Sequence, residues 1–94
     1  MDIQKTKAQI VPIVKKHNIF KAALFGSIVT GNMTDNSDID LLVDMPKDSS
    51  LFDLLRVKID LEEKLGRRVD LVQYKAIKLR LKDEILSHQE SVFI

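Results

Sequence analysis

KAALFGSIVTGNMTDNSDIDLLV, residues 21–43, is the stretch on which the reading of this chain turns. Lys21 to Phe25 is a short, mostly apolar run stopped by Gly26, the pattern of a buried strand. Residues 26–37, GSIVTGNMTDNS, are dense in Gly, Ser, Thr, Asn and Asp, which favour turns, caps and close backbone approach. Asp35 is expected to act as a turn former between Thr34 and Ser37. Asp38 to Val43, DIDLLV, reads as a second strand. Side chains alternate along a strand, so Asp38 and Asp40 share one face while Ile39 and Leu41 share the other. Their Cα atoms would stand roughly 6.6 Å apart. Two carboxylates at that separation can lean onto one hard cation or bridge a pair, and Mg²⁺ prefers such oxygen ligands.

Upstream, Ile3, Ile10, Val14 and His17 recur at helical spacing and predict a helix over residues 3–17, kinked or restarted at Pro12. Downstream, Leu51, Leu54, Leu55, Leu61 and Leu65 predict a helix whose leucines are core. Ser50 and Asp53 form a capping box at its start, and Gly66 is a suitable C′ residue. RRVDLV, residues 67–72, is a third strand with Asp70 in its middle. A carboxylate buried there would need a partner or a metal, which makes Asp70 the candidate third ligand. Ile77, Leu81, Ile85 and His88 predict a last helix over residues 76–88. The terminal SVFI is apolar and is expected to tuck against the core or a partner.

The length of 94 residues allows one domain, residues 1–94, and 45% hydrophobic residues suffice for a core. Fifteen Lys and Arg against fourteen Asp and Glu give a net charge of +1, far from the basic balance of a nucleic-acid binder. The chain has no cysteine, so disulfides and thiolate metal sites are excluded. Neither a signal-peptide pattern nor an apolar run near 20 residues is present. The expectation is a soluble, cytoplasmic α/β protein of the α+β kind, with a small mixed sheet backed by helices.

The strand–Gly26–Ser27–helix turn lets backbone N–H groups and a hydroxyl approach a phosphate. A phosphate cradle, a pair of metal-holding carboxylates and a third carboxylate are the parts phosphoryl-type transfer needs. Gly26-Ser27, then ten residues, then Asp38-Ile39-Asp40, resembles the signature of the DNA polymerase β-like nucleotidyltransferase superfamily. The short chain and the flanking SDIDLLV, Ser37 to Val43, resemble its minimal members, which pair with HEPN-domain proteins as toxin–antitoxin modules.

That resemblance implies a Mg²⁺-dependent enzyme that moves a nucleoside monophosphate, AMP from ATP, onto an acceptor hydroxyl, here on a HEPN-type toxin. Gly26, Ser27 and Ser37 would serve nucleotide binding. Asp38 and Asp40 would hold two Mg²⁺ ions, and Asp70 would bind the metal nearer the acceptor and help deprotonate its hydroxyl. The chain departs from the pattern at Ile28 and Thr30, where minimal members commonly carry an aromatic or Arg and an Arg. Weaker triphosphate binding is the consequence to expect.

Two other readings stand beside this one. The chain could neutralise its partner by contact alone, which the missing arginines and the apolar tail favour. Or it could be a small-molecule transferase of the aminoglycoside type, which needs a second domain or a homodimer to close its site. Asp44 and Asp60 read as surface charges, Arg67 and Arg68 as a solvated strand edge, and Lys75, Lys78, Arg80 and Lys82 as a wet face. His17 and His88 lack metal-ligand spacing and receive no role.

Overall fold

The elements begin and end where caps and apolar periodicity dictate. In the computed structural model, which describes residues 2–77, 85 and 87–93, helix α1 spans Ile3–Lys16. The Asp2 carboxylate accepts from the backbone N–H groups of Gln4 and Lys5 at 2.9 and 3.4 Å, pairing amides that a helix start leaves open. Pro12 lies inside α1, and of the two expected outcomes, a kink or a restart, the helix does not restart. A proline removes one helical hydrogen bond. Ile10 and Val14, both fully buried on either side of it, hold the helix against the core.

Strand β1 is Ala22–Phe25, the single-turn helix α2 is Ser27–Thr30, and strand β2 is Ile39–Val43. Helix α3 is Leu51–Leu65, opened by the expected Ser50–Asp53 capping box and closed by Gly66 at φ +65°. Strand β3 runs Val69–Gln73, two residues later than the sequence suggests, and a 3-10 turn follows at Tyr74–Ala76. Strand β4 is Glu90–Ser91. Most of the helix expected over 76–88, including Leu81, lies outside the described residues; Ile77 itself is extended (φ −69°, ψ 124°) and Ile85 is helical.

The four strands form one mixed sheet in the order β3-β2-β1-β4. β1 runs antiparallel to β2 and β4, whereas β2 and β3 are parallel. Parallel neighbours need a crossover, and α3 supplies it. Ile10 and Val14 of α1, Leu24, Ile39, Leu41 and Val43 of the sheet, and Val57 and Leu61 of α3 make the core. Among the described residues no helix is long and apolar enough to cross a membrane.

Two expectations about apolar residues meet different fates. The C-terminal run tucks in: Val92 is buried and its N–H donates to the Ala22 carbonyl at 3.0 Å. Lys7, also buried, donates to Glu90 at 2.7 Å and ties α1 to β4. The leucines of α3, in contrast, are not all core. Val57 and Leu61 are buried and Leu54 and Leu65 pack against the core, but Leu51 and Leu55 are 79% and 49% exposed. The helix is apolar on two faces, and the sheet covers only one.

Candidate active site

β1 ends at Phe25, and the chain turns at Gly26 with φ +76° and ψ −147°, a backbone conformation essentially confined to glycine. A Cβ built at Gly26 would overlap the Asp40 carboxylate. Glycine is therefore required twice, once for the turn and once for the neighbour. Ser27 opens α2, whose Val29 and Thr30 N–H groups both donate to the Gly26 carbonyl at 3.1 Å. The turn and the carboxylate thus form one corner, although Gly26 and Asp40 are separated by a loop.

The register lines up what the sequence could only list. Phe25 stands opposite Asp40, and Asp40 opposite Asp70 across the parallel pair. Residues in register on adjacent strands share a face, about 4.8 Å apart, so Asp40 and Asp70 are neighbours on one side of the sheet. Asp38 precedes β2, exposed, two residues before Asp40. Burial pushes the Asp40 carboxyl above the usual carboxylate range, and the charges of Asp70 and then Asp38 push it further. Asp40 therefore feels both of the other candidate aspartates. Asp70 itself is exposed on an outer strand, not buried as its apolar neighbours suggested. Alternation of side chains on a strand covered on one face only accounts for the difference.

Among the described residues no group of three or more His, Asp or Glu side chains stands assembled to hold a metal ion. Asp38 and Asp70 are exposed, and Asp40 is half-buried. The donor set still fits a hard divalent cation: carboxylate oxygens from adjacent strands, with an acid at the centre whose ionised form is disfavoured by burial and by its acidic neighbours.

Two residues outside the expected set hold this corner in place. The Arg67 guanidinium donates to the carbonyls of Thr34, Asp35 and Ser37 at 3.1, 3.3 and 3.1 Å, stapling the loop before Asp38 to the start of β3. It is a loop anchor rather than the solvated edge expected. Glu62 of α3 accepts from the Val69 N–H at 2.9 Å and fixes the strand that carries Asp70. Ser37 works inside the loop: its hydroxyl accepts from the Thr34 N–H at 2.9 Å while its own N–H closes the turn onto Thr34. The expected turn around Asp35 is present.

The competing residues sit elsewhere. Asp44 is exposed beyond the far end of β2. Asp60 is no bare surface charge, since it accepts from Lys16 and pairs with His17 at 3.1 and 2.7 Å across the α1–α3 junction. His17 thereby has a structural role. His88 lines a small apolar pocket with Phe25, Gly26, Thr30 and Ile85 beside the glycine turn, which lone-residue reasoning missed. Lys75 is exposed as expected, and Lys78, Arg80 and Lys82 lie outside the described residues.

Comparison with known proteins shows the family of the chain. Residues 8–94 match the family described as Polymerase beta, Nucleotidyltransferase. The chain belongs to that nucleotidyltransferase family. It is 42% identical over 92 residues to a candidate protein adenylyltransferase of Methanocaldococcus jannaschii, covering 98% of this chain and 99% of that one. A solved minimal nucleotidyltransferase shares 30% identity at a TM-score of 0.81, covering 100% and 97% of the two chains. The fold also matches, at 18% identity and a TM-score of 0.74, a complex of the MNT antitoxin with tri-AMPylated HEPN toxin of Shewanella oneidensis. That match covers 97% of this chain and 72% of the other. The chain is a nucleotidyltransferase, and the relatives it resembles include candidate protein adenylyltransferases.

Proposed function

We propose that this nucleotidyltransferase moves AMP from ATP onto a hydroxyl of a HEPN-domain partner in the cytoplasm, and thereby acts as an antitoxin. The observation that carries the reading is the corner at which Asp40, wedged against Gly26 and in register with Asp70, has its ionised form disfavoured by burial and by the charges of Asp70 and Asp38. Carboxylates are seldom packed beside carboxylates unless a cation belongs there. The relative of known structure in which a HEPN toxin carries AMP supplies the acceptor class.

In this reading Asp38, Asp40 and Asp70 hold two Mg²⁺ ions. Bound there, the ions would neutralise the phosphate charge that otherwise repels an attacking oxygen. The Gly26–Ser27 backbone and the Ser27 hydroxyl receive the terminal phosphates, with Ser37 keeping the loop before Asp38 in shape. The acceptor oxygen forms a bond to the α-phosphorus, the bond to the bridging oxygen breaks, and pyrophosphate leaves. Asp70 takes the acceptor's proton. Ile28 and Thr30 offer the triphosphate no guanidinium group, so α2 contributes backbone and hydroxyl contacts without a positive side chain, and the expected affinity for ATP is modest.

A transfer experiment with α-³²P-labelled ATP, Mg²⁺ and the HEPN-domain protein encoded beside this one tests the proposal. Label should appear on the HEPN protein and vanish with Asp40→Asn. Neutralisation of the HEPN protein by an Asp40→Asn chain that transfers nothing would replace the enzyme by a contact antitoxin. Label on an aminoglycoside in place of protein would replace the acceptor class.

A further inference from the structure

The three carboxylates and the glycine turn leave a second feature beside them without a use. Leu51, Phe52, Leu55 and Ile59 of α3 are 79%, 74%, 49% and 46% exposed. Leu51, Leu55 and Ile59 recur every four residues, so they form a stripe along one side of the helix, with Phe52 next to Leu51. A small domain normally shows single apolar residues at its surface, and a contiguous row marks a contact. The stripe does not stand alone. Leu51, Leu54, Leu55 and Lys58 of α3 line a groove of about 290 Å³ together with Leu71 and Asp70 of β3. The groove wraps the outer strand of the sheet and ends at the third carboxylate.

The order of parts across the sheet says which substrate enters there. In phosphoryl-type transfer the attacking and leaving oxygens lie roughly in line through the phosphorus. The glycine turn that would receive the leaving pyrophosphate stands on β1, Asp40 in the middle on β2, and Asp70 on β3. The attacking hydroxyl must therefore approach from the β3 side. That side opens onto the groove and the stripe beyond it. A small polyol or an aminoglycoside would gain nothing from four exposed apolar side chains. Lys58, which lines the groove with Leu55 and Asp70, places positive charge at the margin of this face, which suits an acidic side chain beside an apolar centre.

We propose that the α3 stripe and the groove at the β3 edge are the acceptor-docking surface, and that the acceptor is a protein helix with an apolar face. The helix carries its hydroxyl at the end of that face and acidic side chains at its rim. Leu51, Leu55 and Ile59 pack against that face at helix–helix spacing, Lys58 meets an acidic side chain, and Asp70 receives the hydroxyl. This deepens the proposed function and rests on it, because Asp70 is taken there as the carboxylate nearest the acceptor.

The test separates docking from chemistry. Purified wild type, Leu55→Glu and Lys58→Glu are compared in two assays: AMP transfer to the HEPN-domain protein, and slow release of AMP from Mg·ATP to water without any acceptor. Leu55→Glu should raise the KM for the HEPN protein about 30-fold, the size expected for a central interface residue, with AMP release to water unchanged. Lys58→Glu should raise it less, and more so at low salt. Leu55 is half exposed and Lys58 partly exposed, so both variants should melt close to wild type. Equal KM values for all three proteins would overturn the docking surface while leaving the transferase reading intact. Release of AMP by a wild-type chain that labels no HEPN protein would overturn the acceptor class and this surface with it. A wild-type dimer by sedimentation that Leu55→Glu turns into monomer would assign the stripe to a second copy and also overturn it.

Discussion

Two clusters of aspartate in this small protein behave in opposite ways. At the α1–α3 junction, the hydrogen bonds from His17 and Lys16 hold the Asp60 carboxyl below the usual carboxylate range. At the strand ends, burial and the neighbouring Asp70 and Asp38 hold Asp40 above it. The same side chain thus has its charge favoured where it joins two helices and disfavoured where it faces the glycine turn. A fold selected for stability alone would pair both. The difference separates a joint from a site, and perturbation against the folding interest is what active-site acids share.

The sharpest way to break this comparison is Asp40→Asn. Transfer of AMP should fall about 10³-fold, the scale of removing a principal charge-stabilising group from a reaction site. Stability should move the other way. A raised carboxyl pKa means that the folded state prefers the protonated form, so the ionised Asp40 weakens the fold at pH values above its folded pKa. Without added metal at neutral pH, Asp40→Asn should therefore melt at or above the wild-type temperature, with the gain fading as pH falls. Mg²⁺ should raise the melting temperature of wild type and leave that of Asp40→Asn unmoved. A variant that melts well below wild type would make Asp40 a structural residue.

How much of this was legible beforehand depends on how local the determinant is. The D-x-D spacing and the glycine turn were readable, because strand alternation and turn chemistry act within a few residues. Asp70 was picked for a burial it does not have, and its place beside Asp40 comes from the β2–β3 register, which no local pattern encodes. Arg67 was passed over because the carbonyls it binds lie 30 to 33 residues away, in a loop that only the parallel crossover brings near. The α3 leucines were counted as core since periodicity registers apolar residues without saying which of two faces the sheet will cover. The apolar tail had been weighed towards a contact-only role, and the burial of Val92 against β1 withdraws that support.

Gly26→Ala sharpens the comparison from the turn side. An alanine at φ +76° and ψ −147° is strained by about 1–3 kcal/mol. Its methyl group would also meet the Asp40 carboxylate, which must swing out of the row it shares with Asp70. Chemical denaturation should show the stability loss, a sizeable part of the margin of a domain this small. Transfer should fall as well, and excess Mg²⁺ should not restore it. Full activity with only the stability loss would show that the contact between Gly26 and Asp40 is incidental to the reaction.

The smallest effect, and the cleanest on sign, belongs to Asp60→Asn. A carboxyl held below its ordinary pKa contributes stability above its unfolded value, and that contribution is lost as pH falls through the folded value. Wild type should therefore exceed Asp60→Asn in melting temperature at neutral pH, and the two should converge at low pH, where both side chains are uncharged. The pairing with Lys16 and His17 sits at a partly exposed junction, so the gap at neutral pH is small and shrinks with added salt. AMP transfer should not change, because Asp60 lies on a helix face away from the glycine turn and its carboxylate row. A loss of transfer without a loss of stability would mean that the α1–α3 junction is coupled to the site, and the division between joint and site would then fail.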